Sequence, residues 1–136
     1  MRRVFVDSSA FFALIAREVR LRTHATMIFH RATSERWTLL TTNAVVIETH
    51  ALLLNRMRQG RRKALQFLDA LAHSKVEVER CTEQDERAAI ALLRAHTDKS
   101  YSLCDALSFV VMERLGVEEA ISYDADFRSY GRFLIH

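Results

Sequence analysis

Short apolar runs alternate with stretches of helical character along the whole chain, and this alternation most limits the fold. The first apolar run, Arg3 to Asp7, is too short for a helix, and the next stretch has Phe11 and Ile15 on one apolar side. The chain has no proline and only three glycines, so long helices and few loops are expected. Strands that alternate with helical crossovers predict an α/β protein whose parallel sheet carries helices on both faces.

The same patterns place the individual elements. Strands are predicted at Arg3 to Asp7, Trp37 to Thr41, Lys75 to Glu79, Glu119 to Ser122 and Phe133 to Ile135. Helices are predicted to follow Ser8 or Ser9 as a cap and to span Leu21 to Ser34, Asn43 to Gly60, Arg61 to Ala72 and Thr82 to His96. A further helix begins at Ser102 or Leu103 and ends at Gly116. Asn43 is expected to cap its helix and Gly60 to end it, while Thr82 forms a capping box with Asp85.

Length and composition predict one soluble globular domain. The 136 residues are 49% hydrophobic, which suits a single domain over residues 1–136 with a normal core. No apolar run reaches the roughly 18 residues of a membrane helix. Asp7 interrupts the first apolar run too early for a secretory signal, so a cytoplasmic location is expected. Cys81 and Cys104 lack metal-ligand spacing and are expected to be reduced.

Four acidic residues next to apolar segments are the candidates for a functional site. They are Asp7, Glu48, Asp105 and Asp124. Asp7 and Asp124 follow predicted strands, whereas Glu48 interrupts an apolar helix and Asp105 opens the most apolar one. A carboxylate in such surroundings loses hydration, so it must be protonated, paired or bound to a cation.

The fold brings these acids together only if particular strands are neighbours. Ligands of open α/β sheets gather beyond the carboxyl ends of the strands, where the strand order reverses. If the strands before Asp7 and Asp124 are adjacent, both carboxylates enter one crevice. Mg²⁺ and Mn²⁺ suit such an all-oxygen site, and they activate water for phosphoryl displacement. Each acid alone has another interpretation, as a helix cap or as the partner of an arginine.

A cluster of basic residues is the second candidate feature. The chain carries a net charge of +3, and five positive charges with no acid among them fall within eight residues: Arg56, Arg58, Arg61, Arg62 and Lys63. Such a cluster is predicted to hold a phosphate backbone. The alternative is an ordinary solvated helix end.

Several other chemistries lack their motifs. The six histidines show no HExxH spacing, which argues against a zinc hydrolase. The turn after the first strand has no glycine, which argues against a dinucleotide-binding domain. The chain also contains no P-loop and no GxSxG sequence.

Four segments, in order, resemble the motifs of PIN-domain ribonucleases. They are Val4 to Leu14 (VFVDSSAFFAL), Thr41 to Thr49 (TTNAVVIET), Asp98 to Phe109 (DKSYSLCDALSF) and Ala120 to Phe127 (AISYDADF). Each motif is loose by itself, but the four in this order cover nearly the whole length. The compact size is similar to that of the VapC toxins of prokaryotic toxin–antitoxin pairs.

This resemblance implies a three-layer PIN-like fold, with a parallel sheet of about five strands in the order 3-2-1-4-5. It implies hydrolysis of RNA with Mg²⁺ or Mn²⁺ as cofactor. Asp7, Glu48, Asp105 and Asp124 would then be both the catalytic residues and the metal ligands. With RNA as the substrate, the charge of the basic cluster, rather than the resemblance, predicts that it contacts the RNA.

The resemblance also indicates auxiliary residues. Ser9 and Ser122 match small hydroxyl positions that orient ligands or water. Asp126 occupies a variable position and is at most a secondary ligand. Asp98 is either a ligand of a second metal or a solvated carboxylate of a loop. Cys104 stands where close relatives commonly have threonine, which puts a local hydrogen bond in doubt.

Three functions are therefore considered. The first is an endoribonuclease toxin of a type II, VapBC-like system, held inactive by a VapB-like antitoxin. The second is a PIN nuclease of RNA processing without an antitoxin, and the third is a non-catalytic PIN-fold binding module. The intact acidic set argues against the third.

The resemblance to toxins leads to two expectations about partners. An apolar antitoxin helix is expected to lie in a groove and to place a basic side chain among the carboxylates. The helices also offer more apolar residues than one small sheet can cover, which predicts a homodimer. The clearest surplus is Leu52, Leu53, Met57, Phe67, Leu68 and Leu71.

Overall fold

The computed structural model describes residues 2–16 and 18–136, without the side chain of residue 19. Its strands are β1 (Arg3–Val6), β2 (Thr38–Thr42), β3 (Glu77–Glu79), β4 (Glu119–Ile121) and β5 (Leu134–Ile135). Its helices are α1 (Ser8–Ile15), α2 (Val19–Ser34), α3 (Asn43–Arg56), α4 (Gly60–Ala72), α5 (Glu83–Ala95), α6 (Leu103–Leu115) and α7 (Ala125–Tyr130). Every predicted strand is therefore confirmed, with its ends shifted by two residues at most.

The five strands form one parallel sheet in the order β3-β2-β1-β4-β5. This confirms the α/β fold class and the expected strand order. Val4 of the central strand lies opposite Leu39 of β2 and Glu119 of β4. Just beyond β1, the backbone N–H of Asp7 donates to the carbonyl of Ile121 at 3.1 Å. The carboxyl ends of β1 and β4 therefore meet at the point where the strand order reverses.

Helices cover the sheet on both faces, as predicted. Right-handed crossovers place α1 to α4 on one face and α5 to α7 on the other. On the first face the ring of Phe11 lies 5.3 Å from that of Phe67. On the second face Phe5 of β1 stacks on Phe127 at 6.4 Å, and Phe109 packs against Phe127 at 4.9 Å. These side chains belong to a core that anchors the strand ends.

Two helices begin directly after strands, and each is capped by an aspartate. Asp7, rather than Ser8 or Ser9, caps α1 and accepts the backbone N–H of Ser9. The prediction of a serine cap was therefore wrong, because Asp7 is the last extended residue. Asp124 caps α7 by accepting the N–H of Asp126. Helix α7 was not predicted, since its six residues are too few to display a helical period.

The two predicted ends of α3 were also wrong. Thr42 caps this helix, whereas the Asn43 side chain accepts the backbone N–H of Cys81 at 2.9 Å. Gly60 does not end α3 but begins α4. A Cβ atom at Gly60 would lie 2.6 Å from the carbonyl oxygen of Leu53. The glycine therefore permits a close approach of two helices, which the sequence pattern cannot distinguish from a stop signal.

The predicted apolar surplus was partly wrong. Leu53 and Phe67 are only 0% and 7% exposed, because α4 folds back on α3 and inserts Phe67 against α1. The remaining members are half-buried: Leu52, Met57, Leu68 and Leu71. The apolar side chains that α3 leaves in solvent are instead Ile47 and Leu54, at 68% and 45% exposed.

Two further expectations concern membranes and thiols. Within residues 2–16 and 18–136, no helix combines the length and apolar character that a membrane span requires. Cys81 and Cys104 are both free thiols. The capping box of Thr82 and Asp85 at the start of α5 is confirmed.

Candidate active site

Asp7 lies at the centre of the crevice and is almost completely buried. Its carboxylate is 1% exposed, and its Oδ2 accepts the hydroxyls of Ser9 at 2.6 Å and Ser122 at 3.0 Å. Burial raises the pKa of Asp7, the two hydroxyl hydrogen bonds oppose this rise, and the negative charge of Asp124 adds to it. Asp7 is thus surrounded by neutral donors and by another acid.

Asp105 enters the same crevice from the first turn of α6. Its side chain completes a capping box by accepting the backbone N–H of Ser102 at 3.1 Å, which fixes its direction. Burial raises the pKa of Asp105 to about 7, with the negative charges of Asp124 and Asp7 adding to the effect. This acid therefore exchanges its proton near neutral pH in the metal-free protein.

Asp124 and Asp126 approach Asp105 from the start of α7. One carboxylate oxygen of each of these three residues lies within 4.8 Å of the others. Asp126, expected to be at most a secondary ligand, is thus a full member of the tightest acidic group in the described part of the chain. Asp126 belongs to the group because it lies in the first turn of α7, next to the cap residue Asp124, and its carboxylate faces the crevice.

Glu48 borders this group from the second turn of α3. Its Oε1 accepts the hydroxyl of Ser8, and its carboxylate also accepts the thiol of Cys104. Burial raises the pKa of that thiol, and the charges of Glu48, Asp7 and Asp105 raise it further. Cys104 therefore keeps a hydrogen bond that the sequence comparison had put in doubt, and it does so as a neutral thiol.

Ser9 and Ser122 connect the acids to the backbone. Each hydroxyl that donates to Asp7 also accepts a backbone N–H, that of Tyr123 for Ser9 at 2.8 Å and that of Asp124 for Ser122 at 3.1 Å. The two hydroxyl oxygens lie 3.3 Å apart. This network joins the ends of β1 and β4 and holds Asp7 in one position.

No positively charged side chain pairs with the acids of the crevice. Among the described residues, no ion pair involves the three members of the acidic group or the two acids beside it: Asp105, Asp124 and Asp126, with Asp7 and Glu48. Several carboxylates at this separation repel one another unless they take up protons or a divalent cation. Oxygen atoms in a partly buried crevice are the donors that Mg²⁺ and Mn²⁺ prefer, so the residues present fit such an ion.

The remaining predicted residues lie outside this group. Asp98 is exposed in the loop between α5 and α6. The basic cluster begins at Arg56, the last residue of α3, about 12 Å along the helix axis from Glu48. Its members are exposed except for the half-buried Lys63. Whether they contact RNA stays a prediction.

Sequence reasoning missed three features of the site. It treated Ser8 only as a possible cap, although the Ser8 hydroxyl holds Glu48. It assigned no role to Tyr123, whose hydroxyl is hydrogen-bonded to Nδ1 of His24. The third feature is the position of Asp126. The one available signal was that Ser8 and Tyr123 each adjoin a candidate acid.

The comparison with protein families identifies the family of this chain. The PIN domain family matches residues 4–132, which is nearly the whole chain. The chain belongs to the PIN-domain family. The four acids singled out in its sequence all lie inside the matched segment of this PIN domain.

Curated and solved relatives of this PIN domain are toxins. It is 38% identical over 93 residues to the 23S rRNA-specific endonuclease VapC20 of Mycobacterium tuberculosis, covering 68% of this chain and 70% of that protein. The crystal structure of VapC20, described as a Sarcin-Ricin loop cleaving toxin, superposes with a TM-score of 0.82, 31% identity and 95% coverage of both chains.

Two more distant structures share the fold alone. A toxin–antitoxin complex from Klebsiella pneumoniae gives a TM-score of 0.63 at 14% identity, covering 96% of this chain and 95% of that one. VapBC2 from Rickettsia felis, bound to a DNA fragment from its promoter, gives 0.71 at 10% identity, covering 98% and 97%.

Proposed function

We propose that this protein is a metal-dependent endoribonuclease that hydrolyses RNA phosphodiester bonds and serves as the toxin of a type II, VapBC-like system. The observation that carries the proposal is the convergence of carboxylates at the strand-order reversal of a PIN fold, with no ion-paired side chain among the described residues to neutralise them. We further propose that residues 1–136 act as one domain in the cytoplasm. The similarity to VapC20 supports the toxin assignment.

The chain's own residues have distinct parts in this proposal. Asp7, Glu48, Asp105 and Asp124 are the proposed ligands, and Asp126 joins them. When bound, Mg²⁺ or Mn²⁺ activates water and stabilises the charge that develops at the phosphate. The hydroxyls of Ser9 and Ser122 keep the Asp7 carboxylate in one orientation by donating hydrogen bonds to it. Hydrogen bonds of this kind commonly orient the ligands of a metal.

Metal dependence provides the first test. The purified protein is expected to cleave RNA with Mg²⁺ or Mn²⁺ and to be inactive in EDTA. Asp7→Asn and Asp105→Asn should each lower the rate about a thousandfold while the circular dichroism spectrum stays unchanged. The reason is that both changes remove a charged ligand but keep the shape of the side chain.

The matched control is Asp69→Asn, which makes the same chemical change at an exposed position on α4. Its cleavage rate and metal requirement should equal those of the wild type. Cleavage at the wild-type rate by folded Asp7→Asn protein would refute the assignment of the site.

Ribosomal RNA is the first substrate to test. A relative 38% identical to this chain is named for specific cleavage of 23S rRNA, and we propose the same class of substrate here. Primer extension on ribosomes treated with wild-type and Asp7→Asn protein should detect a single new 5′ end only with the wild type. Many dispersed cleavage sites would instead indicate a nuclease with broad specificity.

An apolar groove supports the proposed antitoxin. It lies between α1, α2 and α4, has a volume of about 450 Å³, and is lined mainly by Phe11, Ile15, Phe29, Phe67 and Leu71. An amphipathic helix can bury its apolar face in such a groove. The expected occupant is a helix of the VapB-like antitoxin, followed by a basic residue that reaches the carboxylates.

Growth assays distinguish the toxin proposal from the alternative of a nuclease that acts in RNA processing. Expression of the protein alone should arrest growth, and co-expression with the small protein encoded beside it should restore growth and allow both to co-purify. Phe67 is too deeply buried for a surface test, so Leu71→Glu is the variant expected to weaken co-purification. Normal growth with folded, metal-loaded protein would favour an RNA-processing role without an antitoxin.

A further inference from the structure

His24 and Tyr123 form an aromatic pair beside the candidate active site. Nδ1 of His24 on α2 is hydrogen-bonded to the hydroxyl of Tyr123. The two rings meet edge to face, with their centroids 5.5 Å apart and their planes at 78°. The edge of one ring therefore meets the face of the other. Tyr123 is half-buried and packs partly against the core, whereas the ring of His24 is exposed and accessible to a ligand.

This pair lies at the edge of the acidic group. Tyr123 stands between Ser122, which binds Asp7, and Asp124, which belongs to the acidic group. Its backbone N–H donates to the Ser9 hydroxyl at 2.8 Å. A nucleotide base resting on the pair would therefore adjoin the phosphate that the carboxylates are placed to process.

The pair is not needed to hold α2 in place. Ala25 and Ala32 are 0% and 2% exposed and seat the helix on the domain, with Phe29 packed against Phe11. His24 is exposed at the border of this buried face and contacts Tyr123 from there. A polar aromatic side chain that leaves the core and contacts a residue of the active site calls for a role other than packing.

The charge of α2 fits a nucleic acid. The helix contains Arg20, Arg22 and Arg31 and no acidic residue between Val19 and Ser34. Arg20 lies four residues before His24, so the two share one exposed face. Arg31 lies on the same side seven residues after His24, but it is ion-paired with Glu35 at 2.6 Å. Carboxylates repel phosphate, so a substrate needs positive charge next to them, and this face supplies it.

We propose that the exposed face of α2 around His24, together with Tyr123, binds single-stranded RNA next to the site of cleavage. A base stacks on the aromatic pair, and Arg20 holds a neighbouring phosphate. Stacking requires a base that is free of its own helix, so the occupant is single-stranded or looped RNA. This inference rests on the proposed ribonuclease function and identifies the part of the surface that receives its substrate.

Binding without cleavage tests the inference. A 5′-fluorescein single-stranded RNA of about 12 nucleotides is titrated in EDTA and followed by anisotropy. Tyr123→Leu should raise the Kd about tenfold, since it removes a stacking ring. Tyr123→Phe keeps the ring and should stay within about twofold of the wild type.

The charged and histidine positions are tested in the same assay. Arg20→Ala should weaken binding and reduce the slope of log K against log salt by about 0.7, the value for one phosphate contact on a single strand. His24→Ala should weaken binding less than Tyr123→Leu. Arg94→Ala is the matched control, because it removes an exposed charge from α5, and it should leave the slope unchanged.

Cleavage kinetics distinguish binding from a general disturbance of the site. With Mn²⁺, Arg20→Ala and His24→Ala should raise KM and leave kcat near the wild-type value. If the wild type cleaves RNA but these variants keep its Kd, salt slope and KM, this inference is overturned and the ribonuclease proposal stands. If the variants lose only the antitoxin, the surface binds protein and the inference is likewise overturned. If the wild type cleaves no RNA in Mg²⁺ or Mn²⁺, the proposed function itself fails.

Discussion

At the scale of single residues, the site is a set of acids held by neutral donors. In the described part of the chain, every hydrogen bond to the Asp7 side chain comes from a serine hydroxyl or a backbone N–H. Such donors orient a carboxylate without neutralising it. The charge must therefore be compensated by protons or by a metal, and the choice depends on pH.

The stability of the metal-free protein should depend on the protonation of Asp105. Its pKa is about 7 in the folded chain against an ordinary value of 3.8. Between these values the folded state keeps a proton that the unfolded state releases. The retained proton contributes to the free energy of unfolding; this contribution is complete below about pH 4 and is lost as the pH rises through 7. Asp105→Asn stays neutral and keeps an oxygen for the Ser102 N–H.

The expected result is a pH-dependent difference in melting temperature. In EDTA near pH 8, Asp105→Asn should melt at least about 3 °C above the wild type, which corresponds to about 1 kcal/mol in the free energy of unfolding. The difference in melting temperature should shrink near pH 5. Asp98→Asn, at an exposed loop position, should follow the wild-type profile. Equal slopes for the wild type and Asp105→Asn would contradict the prediction.

Asp124 combines two roles that substitution can separate. It caps α7 through the N–H of Asp126 at 2.9 Å, and it belongs to the acidic group. Asparagine is also a good N-cap, so Asp124→Asn should leave the metal-free protein as stable as the wild type or more so. Asp124→Ala loses the cap and should be about 1 kcal/mol less stable than Asp124→Asn.

Thermal unfolding with and without Mn²⁺ tests the second role. The ion should raise the melting temperature of the wild type and have much less effect on either variant, because a ligand that binds the folded state stabilises it. A loss of several kcal/mol in Asp124→Asn without metal would mean that Asp124 is mainly structural.

At the scale of elements, the two ends of α3 serve different surfaces. Its second turn carries Glu48, and its last residue, Arg56, begins the basic cluster. Lys63, the last member of the cluster, lines the apolar groove between α1, α2 and α4. The cluster therefore borders a surface proposed for protein as well as one predicted for RNA.

Salt dependence decides between these two partners. Replacing Arg58, Arg61 and Arg62 with alanine should weaken RNA binding and lower the salt slope by about 0.7 for each lost phosphate contact. Lower affinity for the antitoxin with an unchanged RNA salt slope would instead assign the cluster to the protein partner. Isothermal titration of both partners at several salt concentrations measures both outcomes.

At the scale of the whole molecule, the exposed face of α3 supports the proposed homodimer. Ile47 and Leu54 are seven residues apart on one side of the helix and are 68% and 45% exposed. Burying them between two copies would form a symmetric interface. Light scattering after gel filtration should give the mass of a dimer for the wild type and of a monomer for Ile47→Glu.

Ile90→Glu is the control for this experiment. Ile90 is 45% exposed on α5, on the other face of the sheet, so its replacement should leave the dimer intact. A wild-type protein that stays monomeric at high concentration would refute the dimer. If both variants become monomeric, the interface does not lie on α3.

The sequence alone determined the fold class, because short apolar runs separated by helical stretches can bury their surfaces only as a covered parallel sheet. It also singled out Asp7, Glu48, Asp105 and Asp124 as candidates, since a carboxylate beside an apolar segment needs a partner wherever the chain leads. The order of the strands came from the family resemblance and was confirmed.

Only the tertiary structure decided which groups meet. Ser8 and Cys104 are far apart in sequence and both bind Glu48, and Tyr123 meets His24 across 99 positions. Gly60 gave the same local signal as a helix stop, yet it serves the packing of α4 on α3. Local sequence patterns indicate whether the backbone favours a helix, a strand or a turn, and whether a side chain is buried. Contacts between distant segments depend on the strand order and on how closely the helices approach, which no local pattern contains.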